Sequence, residues 1–390
     1  MINIPMKKAT KAQRGLKSNL MKRVIPLTTV LFILFSFPIC NANEQLTNLN
    51  SQYIVVMDYD SGRVLYQRNC DMVVPMASTT KIMTAIVALE NSKLTDIVTV
   101  SKKASSTHGS TMGIKEGQKY TMEELLYGLL LESGNDCAVA IAEHISGSVE
   151  RFARLMNSKA FNLGAFNTRF VTPHGLDADG HFTTALELAI ITQYAYKNDV
   201  FRKIVSTKSK EISSHRILNN TNQLLWSMES ADGVKTGYTG KAGRCLVSSS
   251  TREGKRLICV LLNSSNRWQD SRRLMEYGFK KYNIYKSYKA DDLYENISVK
   301  QGVKDKLSVK LKSDFTVPIS EEEEKELSIK SLLPDSLNAP IYKGQEIGKL
   351  AFYKDGEIVY SVPYIASEDI TIKKEETLTK KILKIFDQLF

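Results

Sequence analysis

Pro75-Met76-Ala77-Ser78-Thr79-Thr80-Lys81-Ile82-Met83-Thr84-Ala85 decides how this chain is read, because it sets a serine and a lysine three residues apart where an apolar helical run begins. Residues i and i+3 share a helix face, so Ser78 and Lys81 stand one turn apart while Ile82, Met83, Ala85, Ile86 and Leu89 supply the buried side. A serine hydroxyl is a poor nucleophile until a neighbouring base takes its proton. Lys81 can be that base only if it is neutral part of the time, which burial or a second cation arranges. At the helix N-terminus, Ser78 would meet free N–H groups and a positive dipole end, both favouring developing negative charge. Alone, the tetrapeptide is weak evidence, since an N-capping serine and a solvated lysine also explain it.

Two further elements follow in order. Ser133-Gly134-Asn135 comes after the apolar helix Leu125 to Leu131 and before Asp136-Cys137-Ala138. Its hydroxyl can relay a proton between Lys81 and a leaving amine, and the Asn135 amide can hold Lys81 and a substrate carbonyl at once. Lys235-Thr236-Gly237 opens a strand. An ammonium beside a hydroxyl suits a substrate carboxylate, and Gly237 lets a ligand backbone come close. Lys235 is also the second cation that Lys81 needs. The backbone N–H of Tyr238, beside that of Ser78, is expected to form an oxyanion hole. Arg267, on the loop after the strand Arg256 to Leu262, is a second candidate to grip a terminal carboxylate. His174 and His181 invite a Ser-His reading, but both lie in a Gly-rich loop where structural hydrogen bonds are expected.

The three ordered elements are the serine acyl-transferase set shared by penicillin-binding proteins and β-lactamases. With them in view, the chain resembles the D-alanyl-D-alanine carboxypeptidases of the low-molecular-weight penicillin-binding proteins, peptidase family S11, from about Asn48 to Ile365. Glu132 to Asp136, Pro173-His174-Gly175-Leu176, Gly180 to Ala185 and Gly233 to Gly237 carry the resemblance further, and Ala339 to Gly348 looks like that family's C-terminal β domain. The resemblance implies an α/β (α+β) serine transpeptidase/β-lactamase-like catalytic domain with a small all-β domain behind it. It also implies peptidoglycan pentapeptide stems as substrate, β-lactams as covalent inhibitors, and no metal or other cofactor. A class A β-lactamase would add a glutamate in E-x-x-x-N to activate the deacylating water. Between the second and third motifs no Glu has an Asn four residues later, and the second motif is S-G-N rather than S-D-N. A silent wall-binding protein would have no use for a complete set of nucleophile, base and relay.

The net charge of +11 is concentrated at the start: residues 1–43 hold seven Lys and Arg and no acid, so the remainder carries +4. That argues against a nucleic-acid partner. The same segment reads as a signal peptide over 1–42, with basic Lys22-Arg23, an apolar run from Val24 to Ile39, and small residues before a cleavage after Ala42. Cys70, Cys137, Cys245 and Cys259 show no metal-type spacing; an exported protein could pair them, but three sit in apolar runs that suit buried free thiols. A catalytic domain is expected over 45–285 and a β domain over 290–365, with the acidic stretch Glu321 to Glu326 as a solvated loop. Leu378, Ile382, Ile385, Phe386 and Leu389 form an apolar stripe among lysines, so 370–390 is expected to be an amphipathic helix lying on a membrane surface.

Overall fold

The computed structural model describes Leu46, residues 48–290 and residues 294–373. The expected signal peptide lies outside these residues, as does the expected C-terminal helix from residue 374 onward; the first residues of that expected helix are instead extended, with Ile370 bridged to Ile341 and Ile372 to Gly302, and Ile370 buried in the β core. The chain divides after Thr47 into two units, and the second, from Asn48 onward, carries the sheets and helices described below.

Five strands form an antiparallel sheet in the order Val64–Arg68, Ser51–Asp58, Lys255–Ser264, Gly243–Arg252, Ala231–Thr239. Strands read as continuous apolar runs when both faces are covered, and Ile54, Val55, Val56 and Met57 are all buried. Alternation sorts them. Val55, Met57, Ile258, Val260 and Leu262 join the main core with the helices Lys81–Asn91, Met122–Leu130 and Asn135–Ser146. The opposite face lies under the helix Arg267–Lys281, whose Gly278 has room for no side chain: a Cβ there would come within 2.6 Å of Leu257 and 3.6 Å of Val56. The helix Ala185–Ala195 begins at Thr184, whose side chain accepts from the Glu187 N–H.

Among the described residues beyond 282, strands dominate. A six-stranded sheet and the pair Ile284–Tyr288 with Phe315–Ile319 share a core that includes Leu307, Val309, Val317, Phe352 and Tyr364. The expectation for Glu321 to Glu326 is corrected here: it is a helix, not a solvated loop. Ser320 and Glu323 close a capping box around its first turn. Glu323 is buried, and its carboxylate meets the Arg63 guanidinium at 2.6 Å, with side-chain exposures of 5% and 3%. Arg63 also donates to the Pro318 carbonyl. A buried ion pair thus links the turn after Ser51–Asp58 to the β domain.

All four described cysteines are free and buried. Among the described residues, no helix is long and apolar enough to cross a membrane, and no group of three or more His, Cys, Asp or Glu is placed to hold a metal ion.

Candidate active site

Ser78 sits in a short 3₁₀ turn, Ala77–Thr80, that runs straight into the helix Lys81–Asn91. The turn is tied down by its own threonines: Thr79 Oγ1 donates to the Met76 carbonyl at 2.5 Å and Thr80 Oγ1 to that of Ala77 at 2.7 Å. Ala77 holds a left-handed backbone at φ +50°. Gly175, at φ +88°, presses against it so closely that a Cβ would lie 1.9 Å from the Ala77 carbonyl oxygen.

Lys81 is fully buried, and its Nζ lies 2.9 Å from Ser78 Oγ, 2.7 Å from Asn135 Oδ1 and 2.7 Å from the His174 carbonyl oxygen. Burial, and then the charge of Lys235, holds this amine well below the ordinary lysine range. Asn135 Oδ1 and the His174 carbonyl can only accept. A neutral Lys81 has two N–H groups and one lone pair, so those acceptors take both hydrogens and the lone pair is left for the Ser78 hydroxyl. The cage therefore orients the base, while burial and the charge of Lys235 lower its proton affinity.

The second motif arrives in two ways. Asn135 is the first residue of the helix Asn135–Ser146, one turn earlier than the apolar pattern beginning at Ala138 suggests. Its Nδ2 donates to the His108 carbonyl at 2.8 Å, which fixes the amide so that Oδ1 faces Lys81. Ser133 is buried at φ +63°. Among the described residues its hydroxyl makes no hydrogen bond, so the structure brings Asn135, but not Ser133, onto Lys81.

Lys235 is fully buried on the edge strand Ala231–Thr239, donating to the Thr236 carbonyl at 3.0 Å. Burial and then the Arg267 charge push it down to about 7. Thr236 Oγ1 lies 2.8 Å from Thr221 Oγ1. Gly237 backs the serine turn, since a Cβ there would come within 3.1 Å of Ser78 N. The Tyr238 side chain is mostly exposed. Arg267 is the first residue of the helix Arg267–Lys281, not a loop residue. Its Nη1 donates to the Gly237 carbonyl at 2.9 Å and the Cys245 carbonyl at 3.0 Å, so it braces the strand.

His181 Nδ1 accepts from the Val171 N–H at 3.0 Å, which leaves the ring proton on Nε2, 2.8 Å from Thr80 Oγ1. His174 Nδ1 accepts from the Leu176 N–H. Burial pushes His174 to about 3 and His181 to about 4, so both rings are neutral and both serve the loop.

Three contributors escaped the motif reading. The His174 carbonyl is one, and a backbone acceptor has no residue signature. Asp136 is another: its carboxylate accepts from the N–H groups of Met112, Gly113, Ile114 and Cys137 and pins the loop over the site. The third is Asp177, which accepts from Thr239 Oγ1 at 2.7 Å and ties the 173–180 loop to the Lys235 strand.

The model of the D-alanyl-D-alanine carboxypeptidase family, peptidase S11, matches residues 40–266, and that of the C-terminal domain of penicillin-binding protein 5 matches residues 282–371. Among curated proteins, the chain is similar to D-alanyl-D-alanine carboxypeptidase DacF of Bacillus subtilis (strain 168), at 34% identity covering 81% of this chain and 85% of that one. It is likewise similar to DacC of Escherichia coli (strain K12), at 35% identity over 87% and 90%. Among solved structures, penicillin binding protein 5 from Haemophilus influenzae aligns with a TM-score of 0.70 at 31% identity, over 83% of this chain and 98% of that one.

Proposed function

The chain belongs to the D-alanyl-D-alanine carboxypeptidases of peptidase family S11, and from that membership we propose a residue-level account of how it works. It is a serine-type hydrolase of the cell wall that removes the terminal D-alanine of peptidoglycan stem peptides. The observation that carries the assignment is the cage around Lys81, which aims a lone pair at Ser78 Oγ from 2.9 Å.

As Ser78 Oγ bonds to the carbonyl carbon between the two terminal D-alanines, its proton passes to Lys81 Nζ. The carbonyl oxygen becomes an oxyanion held by the backbone N–H groups of Ser78 and Tyr238. Collapse breaks the C–N bond, and the leaving amine takes a proton from Lys81; the Ser133 hydroxyl, which makes no hydrogen bond among the described residues, relays that proton by turning to Lys81 when substrate is bound. Water, deprotonated by the same lysine, then attacks the ester and frees Ser78. Asn135 orients Lys81 and the substrate carbonyl. Lys235 and Thr236 bind the terminal carboxylate, Gly237 gives the peptide backbone room, and Arg267 is the second cation offered to that carboxylate. A β-lactam would acylate Ser78 by the same first step and act as a covalent inhibitor.

In the same reading, 45–285 is the catalytic domain, 290–365 a β domain, 1–42 an export signal and 374–390 a surface helix, its start moved from residue 370 because Ile370 and Ile372 pair with the β domain. Together these put the enzyme at the outer face of the cytoplasmic membrane. The test of the core assignment is Ser78→Ala. It should abolish labelling by a fluorescent penicillin and slow D-alanine release by on the order of 10⁴-fold, with thermal unfolding unchanged. Retained labelling would dismiss Ser78 as the nucleophile.

A further inference from the structure

We propose that the cleft between the catalytic and β domains is a second binding site, one that takes the aminosugar strand of peptidoglycan. The proposal rests on the cell-wall reading above and extends it to a part of the polymer that Ser78 does not touch.

The cleft measures about 600 Å³, within the size range of ligand clefts, which favour domain boundaries. From the β domain, the rings of Tyr288 and Phe315 stack with centroids 4.9 Å apart and planes 11° apart, and Tyr360 lies 5.8 Å from Phe315. All three line the cleft and are half-buried rather than sealed into the core. From the catalytic domain come Asp60 and Ser61, in the turn after Ser51–Asp58, and Lys255, at the hairpin joining Gly243–Arg252 to Lys255–Ser264. Saccharides are recognised by this combination: aromatic rings meet their C–H faces, while carboxylates, amines and hydroxyls meet their hydroxyl rims. Among the described residues, the phenol groups of Tyr288 and Tyr360 have no hydrogen-bond partner. Burial pushes Tyr360 up to about 12, so it stays an O–H donor.

Two other ligand classes fit less well. An apolar ligand would meet mostly charged and hydroxyl groups at the rim. An anion would face Asp60 and Asp314, and two of the cleft's lysines are already paired, Lys289 with Asp314 at 2.7 Å and Lys312 with Glu346 at 3.1 Å.

Distance says which sugar is held. Gly237, beside the Ser78 N–H, pairs with Cys245, and the hairpin end at Arg252 lies seven residues further along that strand. At about 3.3 Å per residue, the cleft lies ~23 Å from the serine along the sheet. A stem of about five residues spans at most ~17 Å. The sugar that carries the reacting stem therefore falls short, and the cleft takes a saccharide from elsewhere on the polymer.

The test uses the purified full chain and peptide-free glycan strands released from peptidoglycan by an amidase. Saturation-transfer NMR should show the strands binding, and Tyr288→Ser should weaken that binding about tenfold. Because Tyr288 also packs on the β core, Ser313→Trp provides a second variant: it fills the cleft from an exposed position and removes no core contact. Both variants should slow D-alanine release from polymeric peptidoglycan about tenfold, through loss of the second attachment, and leave release from a soluble acyl-D-Ala-D-Ala peptide unchanged. Absence of strand binding, displacement of the strands by inorganic phosphate, or an equal fall on both substrates in folded Ser313→Trp would overturn the proposal. Penicillin labelling and soluble-peptide turnover report on Ser78 alone, so failure of the active-site reading is seen separately.

Discussion

Lys81 and Lys235 are two buried amines that the proposed chemistry asks to be in opposite protonation states. Lys81 must be neutral to accept the Ser78 proton, and its burial beside Lys235 favours that. Lys235 must be charged to hold a carboxylate, and at about 7 it keeps its proton only on the acid side of neutrality. These two requirements set the sign of the pH dependence. For a peptide ending in a free carboxylate, kcat/KM should rise with pH as Lys81 loses its proton, then fall as the pH passes about 7 and Lys235 is neutralised. A substrate with its terminal carboxylate amidated should lack the falling limb. Stopped-flow or discontinuous assays across neutral pH decide this, and identical profiles for the two substrates would remove Lys235 from carboxylate binding. Lys81→Arg should be inactive, because a guanidinium stays charged. At this scale the sequence showed whatever depends on side-chain identity: Ser78, Lys81, Asn135 and Lys235 stand out by type and order. It could not show the His174 carbonyl, because any residue there presents the same acceptor.

At the scale of elements, the loops that enclose the serine are held by close approach and by one carboxylate. Gly175 lies against the Ala77 carbonyl with no room for a Cβ. Gly175→Ala should displace the serine turn and slow penicillin acylation by about 100-fold, the cost of a misplacement near 1 Å. Asp136 terminates four backbone N–H groups, three of them on the 112–114 loop. Asp136→Ala would strand these donors in a buried setting, at about 1–3 kcal/mol each where water cannot replace the carboxylate. Urea denaturation should therefore show a loss of at least about 3 kcal/mol; a loss below about 1 kcal/mol would mean the loop is held by something else. The acidic run Glu321 to Glu326 was not legible as a helix, because composition pointed to solvent while the decisive signal was the spacing of Ser320 and Glu323. Even that spacing marks only a helix start. The partner that buries Glu323 is Arg63, some 260 residues earlier, and no local pattern reaches that far.

At the scale of the molecule, Arg63 and Glu323 join the two domains through a pair withdrawn from water. Removing one member of such a pair leaves an uncompensated buried charge, which costs about 3–5 kcal/mol. Glu323→Gln should lower the unfolding temperature, while the double variant Arg63→Met/Glu323→Gln should recover part of the loss; additive losses would show that the two do not act as a unit. Penicillin labelling should survive in both, since neither residue belongs to the site around Ser78. The proposed surface helix makes a different claim. Deleting residues 374–390, which spares the buried Ile370, should move the protein from the membrane to the soluble fraction with penicillin labelling intact, and a truncated protein that still sediments with membranes would end the anchor reading. The proposed division of labour between the halves rests on where the catalytic motifs stop, before residue 285.

The four buried thiols carry a consequence for the protein's first moments. Burial pushes Cys245 up to about 11 and Cys259 up to about 12, so neither offers the thiolate that oxidation requires. That protection belongs to the folded state alone. On the proposed export route the chain emerges unfolded into an oxidising compartment, with every thiol at its ordinary reactivity. Folding then becomes a race against wrong cross-links: thiol pairs that the finished molecule keeps apart are free to meet, and slow folding would leave a scrambled fraction behind.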